Sequence, residues 1–423
     1  MLAQFLKDCR GGVAPMMGLL VLPLMGAVGM AVDYSQANAT RAAFQAALDS
    51  TALMLSKSAA KQTAGDLQTD ATNYFNALFT HPEANATITA TYSQTGGSKV
   101  TLTANGTVKT NFLGVLGYSQ IAISAKTVST WGNTRLRVAL VLDNTGSMSQ
   151  SGKMTALKTA AQNLLDQLKA AAVNDGDVYI SIVPFNKDVN VGSGNYSASW
   201  LRWDLWEAVN GTCSNSNYST QSSCLSHNKT WTPAAHSTWN GCVTDRDQNF
   251  DTTNDAPLAG STLYPAEQYS SCPAQAMGLG YDWTALGDKI TAMQPNGNTN
   301  QAIGLQMGWQ TLTAPPFTIP ATDPNYRYQQ VIILLTDGLN TEDRWYTSQS
   351  SINARQQKTC DNIKAAAITL YTVQVNTGGD PTSTLLQNCA SDSSKFFLLT
   401  SAQQIVATFN QIGNALSSLR LAM

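Results

Sequence analysis

Val138–Ser149 reads VALVLDNTGSMS, an apolar run that ends in an aspartate and is followed by two hydroxyl residues at alternate positions. A buried strand stopping at Asp143 puts Asp143, Thr145 and Ser147 in the loop at its carboxyl end, where open α/β sheets hold their ligands. Two later segments have the same design. PNGNTNQAIGL (Pro295–Leu305) offers Thr299 just ahead of a helical run, and VIILLTDGLNT (Val331–Thr341) is a second buried strand ending in Asp337. Each segment alone reads as a Ser/Thr-rich turn beside an ordinary element. Together they bring two carboxylates and three hydroxyls to one crevice, a hard-cation oxygen set of the kind Mg²⁺ accepts, with waters completing the octahedron.

This arrangement resembles the metal-ion-dependent adhesion site of von Willebrand factor type A domains. Asp143, Thr145 and Ser147 stand for its DxSxS element, with threonine in place of the first serine; Thr299 stands for the middle threonine and Asp337 for the distal aspartate. The resemblance implies Mg²⁺ or another divalent cation held directly by the hydroxyls and largely through water by the aspartates. One coordination position is left for an acidic residue of a partner.

The elements needed to position these residues are legible in order. Strand Arg135–Asp143, helix Met154–Ala171 and strand Asp177–Phe185 open a βαβ alternation. It resumes with a helix at Gly280–Met293, the Thr299 helix, strand Val331–Thr336, helix Ile352–Ala366, strand Ile368–Val375, a short helix, strand KFFLLT and a closing helix from Ala402. The expected fold is α/β, a doubly wound, Rossmann-like von Willebrand type A domain over residues 135–418. Residues 190–276 interrupt it with an irregular insertion rich in Asn, Ser, Trp and Gly. Its four cysteines, Cys213, Cys224, Cys242 and Cys272, have 10, 17 and 29 residues between them and no CxxC knuckle, which favours disulfides over zinc. The pairing among these four stays open. Cys360 and Cys389, beside helices that flank one strand, are expected to form a third bridge.

Ahead of this domain lie a tip (residues 1–12), an apolar span (13–32), an extended helical region (33–79) and a small β module (80–131). Val13–Val32 is uncharged, preceded by Lys7 and Arg10 and followed by Asp33. Twenty helical residues cover about 30 Å, the thickness of the hydrocarbon core. The span reads as a transmembrane helix with a cytoplasmic N-terminus by the positive-inside rule, and a cleaved signal peptide is the competing reading. Tyr34–Lys61 is alanine-rich without proline or glycine, so the helix is expected to continue to about residue 60. Ala86–Ser93, Ser98–Val108 and Ser119–Trp131 alternate apolar and polar residues, with Gly96-Gly97 as a hairpin turn, and predict a three-stranded antiparallel sheet packed on the long helix.

The N-terminal region resembles the TadG-like proteins of the tight-adherence (Flp) pilus system. The matching features are Arg10-Gly11-Gly12-Val13-Ala14, the apolar span with Gly29–Tyr34 as its GxAVDY ending, and AALDSTALM at Ala46–Met54. The resemblance implies a single-pass protein of the bacterial inner membrane with the bulk of the chain periplasmic. Its partners would be other pilus-assembly or envelope proteins.

Only 12% of the 423 residues are charged, 25 Lys+Arg against 27 Asp+Glu, with no basic cluster for nucleic acid. His81, His227 and His236 form no relay or HExxH spacing, there is no P-loop, and Asp143-Asn144-Thr145 lacks the second Asp of a DxDxT phosphatase loop. Catalysis is therefore not expected. A metal-dependent interaction module for pilus assembly or adhesion leads; the alternative is a structural envelope protein contacting cell wall, its metal only ordering loops.

Overall fold

The apolar run Leu136–Leu142 is too continuous for a strand with one solvated face, and in the computed structural model of the protein it lies at the centre of a sheet covered on both sides. The structure describes residues 13–421 except 82–83, 95–96, 132–133, 325 and 380. These fall into two units, one ahead of Thr134 and one beginning there. The tip with Lys7, Cys9 and Arg10, and Gly96 of the expected hairpin turn, lie outside the described residues.

The first unit starts with α1 (Val13–Leu55), which is long and apolar enough to cross a membrane. Its first half exposes Leu19, Leu20, Leu24, Met25 and Val28. Its second half is amphipathic and buries Phe44, Leu48, Ala52 and Leu55 against α2 (Ala64–Leu78) and an antiparallel sheet. That sheet is β1 (Thr87–Ser93), β2 (Ser98–Lys109) and β3 (Gln120–Trp131) in spatial order β1-β2-β3. Alternation along β2 turns Val100, Leu102 and Ala104 inward. Phe44, Phe75 and Phe79 join helices to one another with ring centroids 5.2, 5.0 and 5.2 Å apart. The helix stops at Leu55, short of the expected end at about residue 60. There the Ser56 hydroxyl donates to the Leu53 carbonyl at 2.7 Å, and a 3₁₀ turn at Ala59–Lys61 reverses the chain into α2, whose N-cap is Thr63.

The second unit contains, in chain order, β4 (Thr134–Asp143), α3 (Lys153–Ala171), β5 (Val178–Phe185), β6 (Met277–Gly280), α4 (Trp283–Ala292), α5 (Gln301–Thr313), β7 (Arg327–Thr336), α6 (Gln349–Ala365), β8 (Thr369–Val375), β9 (Phe396–Leu399) and α7 (Gln403–Leu421). Spatial order is β6-β5-β4-β7-β8-β9, parallel except for β6. By rank in the chain this is 3-2-1-4-5-6, the doubly wound order, with its reversal between β4 and β7. Leu142 of β4 pairs with Leu335 of β7, so both strands deliver their terminal residues to the same edge. Helices α3, α4 and α7 cover one face through Leu164, Ile290 and Phe409; α5 and α6 cover the other through Leu305 and Ile363.

The insertion extends this sheet instead of forming a separate body. Val189–Asn190, Cys242–Val243 and Tyr264–Glu267 add antiparallel rungs beyond β5, and Leu201–Arg202 pairs parallel with Tyr264-Pro265. Disulfides Cys213–Cys224 and Cys242–Cys272 take all four insertion cysteines, which leaves no thiolate there for zinc. Cys360–Cys389 forms as expected, with Cα atoms 5.0 Å apart, and ties α6 to the short helix at Thr384–Cys389. Trp206, Trp239 and Tyr264 fill the core of the insertion, and the Arg355–Asp251 ion pair clamps it to α6.

Helix α5 reaches the sheet through Gly304 and Gly308, one turn apart. A Cβ at Gly304 would come 2.6 Å from Phe185 Cγ, and one at Gly308 would overlap Val141. Gly308→Ala is therefore expected to destabilise the protein by about 1–3 kcal/mol through overpacking, despite alanine's higher helix propensity. Denaturant unfolding checks this against Gly194→Ala, where a Cβ meets nothing within 4 Å and no loss is expected.

Candidate metal centre

The end of β4 is fixed before its functional side chains are considered. The Asn144 amide donates to the Phe185 carbonyl at 2.8 Å, and its side chain donates to the Gln294 carbonyl at 2.6 Å. Asn296 in turn donates from its backbone to the Asn144 carbonyl at 2.8 Å, and Gly146 donates to Gly297 at 3.0 Å. These bonds hold the DNTGS loop against the loop that carries Thr299. A third loop joins because Thr299 accepts from the Thr341 amide at 2.9 Å, while its own amide donates to the Thr341 hydroxyl at 2.8 Å.

Within this frame the sequence-predicted residues converge. The Asp143 carboxylate is fully buried; Oδ1 accepts from the Thr145 amide at 2.8 Å and its hydroxyl at 2.5 Å, and Oδ2 accepts from the Thr336 hydroxyl at 2.7 Å. Thr145 Oγ1 lies 3.1 Å from Ser147 Oγ, and Ser147 donates to Asp337 Oδ1 at 2.6 Å. The Thr299 hydroxyl lies near Gly338, the residue after Asp337. A Cβ built on Gly338 would sit 3.7 Å from Ser147 Oγ and 3.9 Å from Thr299 Oγ1, so both hydroxyls border the same small space over a residue with no side chain.

Two residues of this cluster were not singled out by sequence. Thr336 looks like the last member of an apolar strand, yet its hydroxyl faces Asp143. Lys153 begins α3 and has the appearance of a solvated helix lysine, but it is 6% exposed and its ammonium is paired with Asp337 Oδ2. Around the rim, the insertion's buried Asp245 accepts from the Asn300 side chain at 2.8 Å and thereby braces the residue after Thr299.

Burial, and then the charge of Asp337, push the Asp143 carboxyl up to about 6, although hydrogen bonds from Thr145 and Thr336 oppose the shift. The crevice thus sets two aspartates beside one lysine. Among the described residues no group of three or more His, Cys, Asp or Glu is arranged to hold a metal. The donors here are of another composition, two acids with Thr145, Ser147 and Thr299 hydroxyls. Such a set lacks sulfur and imidazole, carries excess negative charge, and fits a hard divalent cation with part of its shell left to water.

Lys153 is the protein's own cation at this position. Lys153→Met should lower stability by about 3–5 kcal/mol in EDTA, because it leaves Asp337 buried without its partner charge. Thermal unfolding of the full-length protein in detergent should then show a larger rise on adding millimolar Mg²⁺ in the variant than in the wild type. Equal Mg²⁺ responses would separate Lys153 from cation binding.

Comparison with known proteins covers both units. Residues 11–57 match the family model described as putative Flp pilus-assembly TadE/G-like. No curated protein matches the chain. Among solved structures, the chain is similar to the pilus adhesin SpaC from Lactobacillus rhamnosus GG in its open conformation, at 14% identity and a TM-score of 0.39, over 79% of this chain and 34% of that one. It thus spans about a third of that adhesin's length. It is also similar to the vWF domain of the type V pili tip protein Mfa5 from Porphyromonas gingivalis, at 11% identity and a TM-score of 0.38, over 67% of this chain and 95% of that one. A further similarity is to proximal thread matrix protein 1 from the mussel byssus with a zinc-occupied MIDAS motif, at 14% identity and a TM-score of 0.34, over 68% of this chain and 46% of that one. By its N-terminal match and its own strand order, the chain joins a TadE/G-like N-terminal region to a large unit of von Willebrand factor type A-like fold.

Proposed function

We propose that this protein is a membrane-anchored, metal-dependent interaction component of Tad/Flp pilus assembly or surface adhesion, and not an enzyme. The observation that supports it is the hydrogen-bonded chain from Asp143 through Thr145 and Ser147 to Asp337 at the switch point of the sheet, with the Thr299 hydroxyl near Gly338 and Lys153 paired with Asp337. In this reading those five residues hold Mg²⁺ or another divalent cation. The cation's chemistry is to accept one more oxygen ligand, and an acidic residue of a partner supplies it. The partner is another pilus-assembly or envelope protein, in keeping with the family matched by residues 11–57.

The same reading places α1 in the bacterial inner membrane, with the N-terminus cytoplasmic and the bulk of the chain periplasmic. Three disulfides support an oxidising compartment for the large unit. Asp245 of the insertion braces Asn300 beside Thr299, and the insertion's two disulfides and buried tryptophans suit a segment that meets a partner without first ordering itself.

A Tad component that copurifies with the full-length protein provides the test. Its binding should be lost in EDTA, restored by millimolar Mg²⁺, and abolished by Asp143→Ala or Thr299→Ala in protein that keeps a wild-type circular dichroism spectrum. Binding of equal strength in EDTA and Mg²⁺ would remove the recruiting role and favour the structural envelope reading.

A further inference from the structure

Asp33 sits at the end of the apolar span and is 2% exposed, yet among the described residues no cationic side chain is bonded to it. Its carboxylate accepts instead from three consecutive backbone amides, Asn111 at 3.0 Å, Phe112 at 2.8 Å and Leu113 at 2.7 Å. They belong to the connection between β2 and β3, a 3₁₀ turn at Leu113–Leu116. The turn satisfies most of its remaining donors internally: Val115 donates to Phe112, Gly117 to Gly114, Tyr118 to Leu113 and Thr110 to Ser119, all at 3.0–3.1 Å. Its side chains do the opposite of what a solvated loop requires. Val115 is 87% exposed, Phe112 51% and Tyr118 68%.

The turn lies alongside α1 below Asp33. A Cβ on Gly29 would fall 2.6 Å from Phe112 Cβ, so the ring rests directly on helix backbone. Between turn and helix is an apolar groove of about 600 Å³, lined by Leu24, Val28, Val32, Phe112 and Val115 among others.

We infer that the Asn111–Tyr118 turn is a second membrane element: it enters the outer leaflet beside α1, and lipid acyl chains fill the groove. This rests on the reading of α1 as a membrane span and goes beyond it. The groove is continuous with the exposed apolar surface at Leu19–Val28, which that reading already places in hydrocarbon. Asp33 caps three backbone donors of the connection and four more close within it, so a turn lying at the membrane interface, with only its apolar side chains reaching the acyl chains, leaves few donors for headgroups and water to satisfy. Exposed Tyr34 and Tyr118 and the exposed Lys109 mark the height of the headgroups, where amphipathic rings and basic side chains reside. Asp33 is then a positioning residue, fixing the turn to the helix at the membrane surface.

The test labels single cysteines with an environment-sensitive fluorophore in full-length Cys9→Ser protein, reconstituted in phosphatidylethanolamine and phosphatidylglycerol nanodiscs. The substitutions are Val115→Cys in the turn, Val28→Cys in the span and Thr130→Cys near the far end of β3. Expected are blue-shifted emission and strong quenching by doxyl-labelled acyl chains at 115 as at 28, with iodide quenching confined to 130. Adding Asp33→Ala should weaken acyl-chain quenching at 115 and leave 28 unchanged. A label at 28 in lipid with one at 115 open to iodide overturns the inference and spares the span. A label at 28 open to iodide overturns both. Position 115 shielded from iodide and from acyl-chain quencher alike overturns it in favour of a protein, such as a second copy, covering the groove.

Discussion

Two carboxylates at the ends of adjacent parallel strands set the terms for the large unit. The register that pairs Leu142 with Leu335 sets where Asp143 and Asp337 emerge, and the close packing of both faces, with Val141 against Gly308, holds it. Burial raises the cost of ionising Asp143, and the neighbouring charge of Asp337 adds to it, as the upward shift of Asp143 records. Everything around them acts to contain that charge. Thr145, Ser147 and Thr336 donate hydroxyls to it, Lys153 brings one positive charge, and the Asn144, Asn296 and Thr341 bonds stop the loops from opening to relieve it. In the proposed reading, a divalent cation completes this set.

The insertion has its place in the same account. It adds rungs to the edge beyond β5 and carries Asp245 to Asn300, so the residues next to Thr299 are held from outside the basic fold. Asp245 itself is pushed up to about 7 by burial and by Asp343, and its hydrogen bonds from Asn300 and Arg344 keep it in place. Disulfides, stacked Trp203 and His236 rings at 3.8 Å and the buried Arg246 take over what regular secondary structure supplies elsewhere.

What was readable in the sequence follows from the length scale of each signal. β4 and β7 are continuous apolar runs, and Asp143, Thr145, Ser147 and Asp337 keep fixed spacing from their ends, so strands and site residues were legible together. Thr299 followed from its place just ahead of a helix. Lys153 did not, since nine residues of chain, a 3₁₀ turn among them, separate it from Asp143 and only the packing of α3 reveals its direction. The insertion's strands are two to four residues long, below any detectable alternation, and joined the main sheet through partners far along the chain. In the N-terminal unit the three strands and their helix were expected, whereas the early stop at Leu55 and the Asp33 cap on the β2–β3 turn depend on local hydroxyl bonds and on a contact spanning about eighty residues.

The central claim is that this cluster of charge and hydroxyls binds a divalent cation. Titrating Mn²⁺, as a paramagnetic stand-in for Mg²⁺, into metal-stripped full-length protein and counting free ion by electron paramagnetic resonance addresses it directly. The account predicts one bound ion per chain that Mg²⁺ displaces and that Asp337→Asn loses without unfolding. Absence of bound Mn²⁺ at millimolar concentration, or undiminished binding by Asp337→Asn, would contradict it.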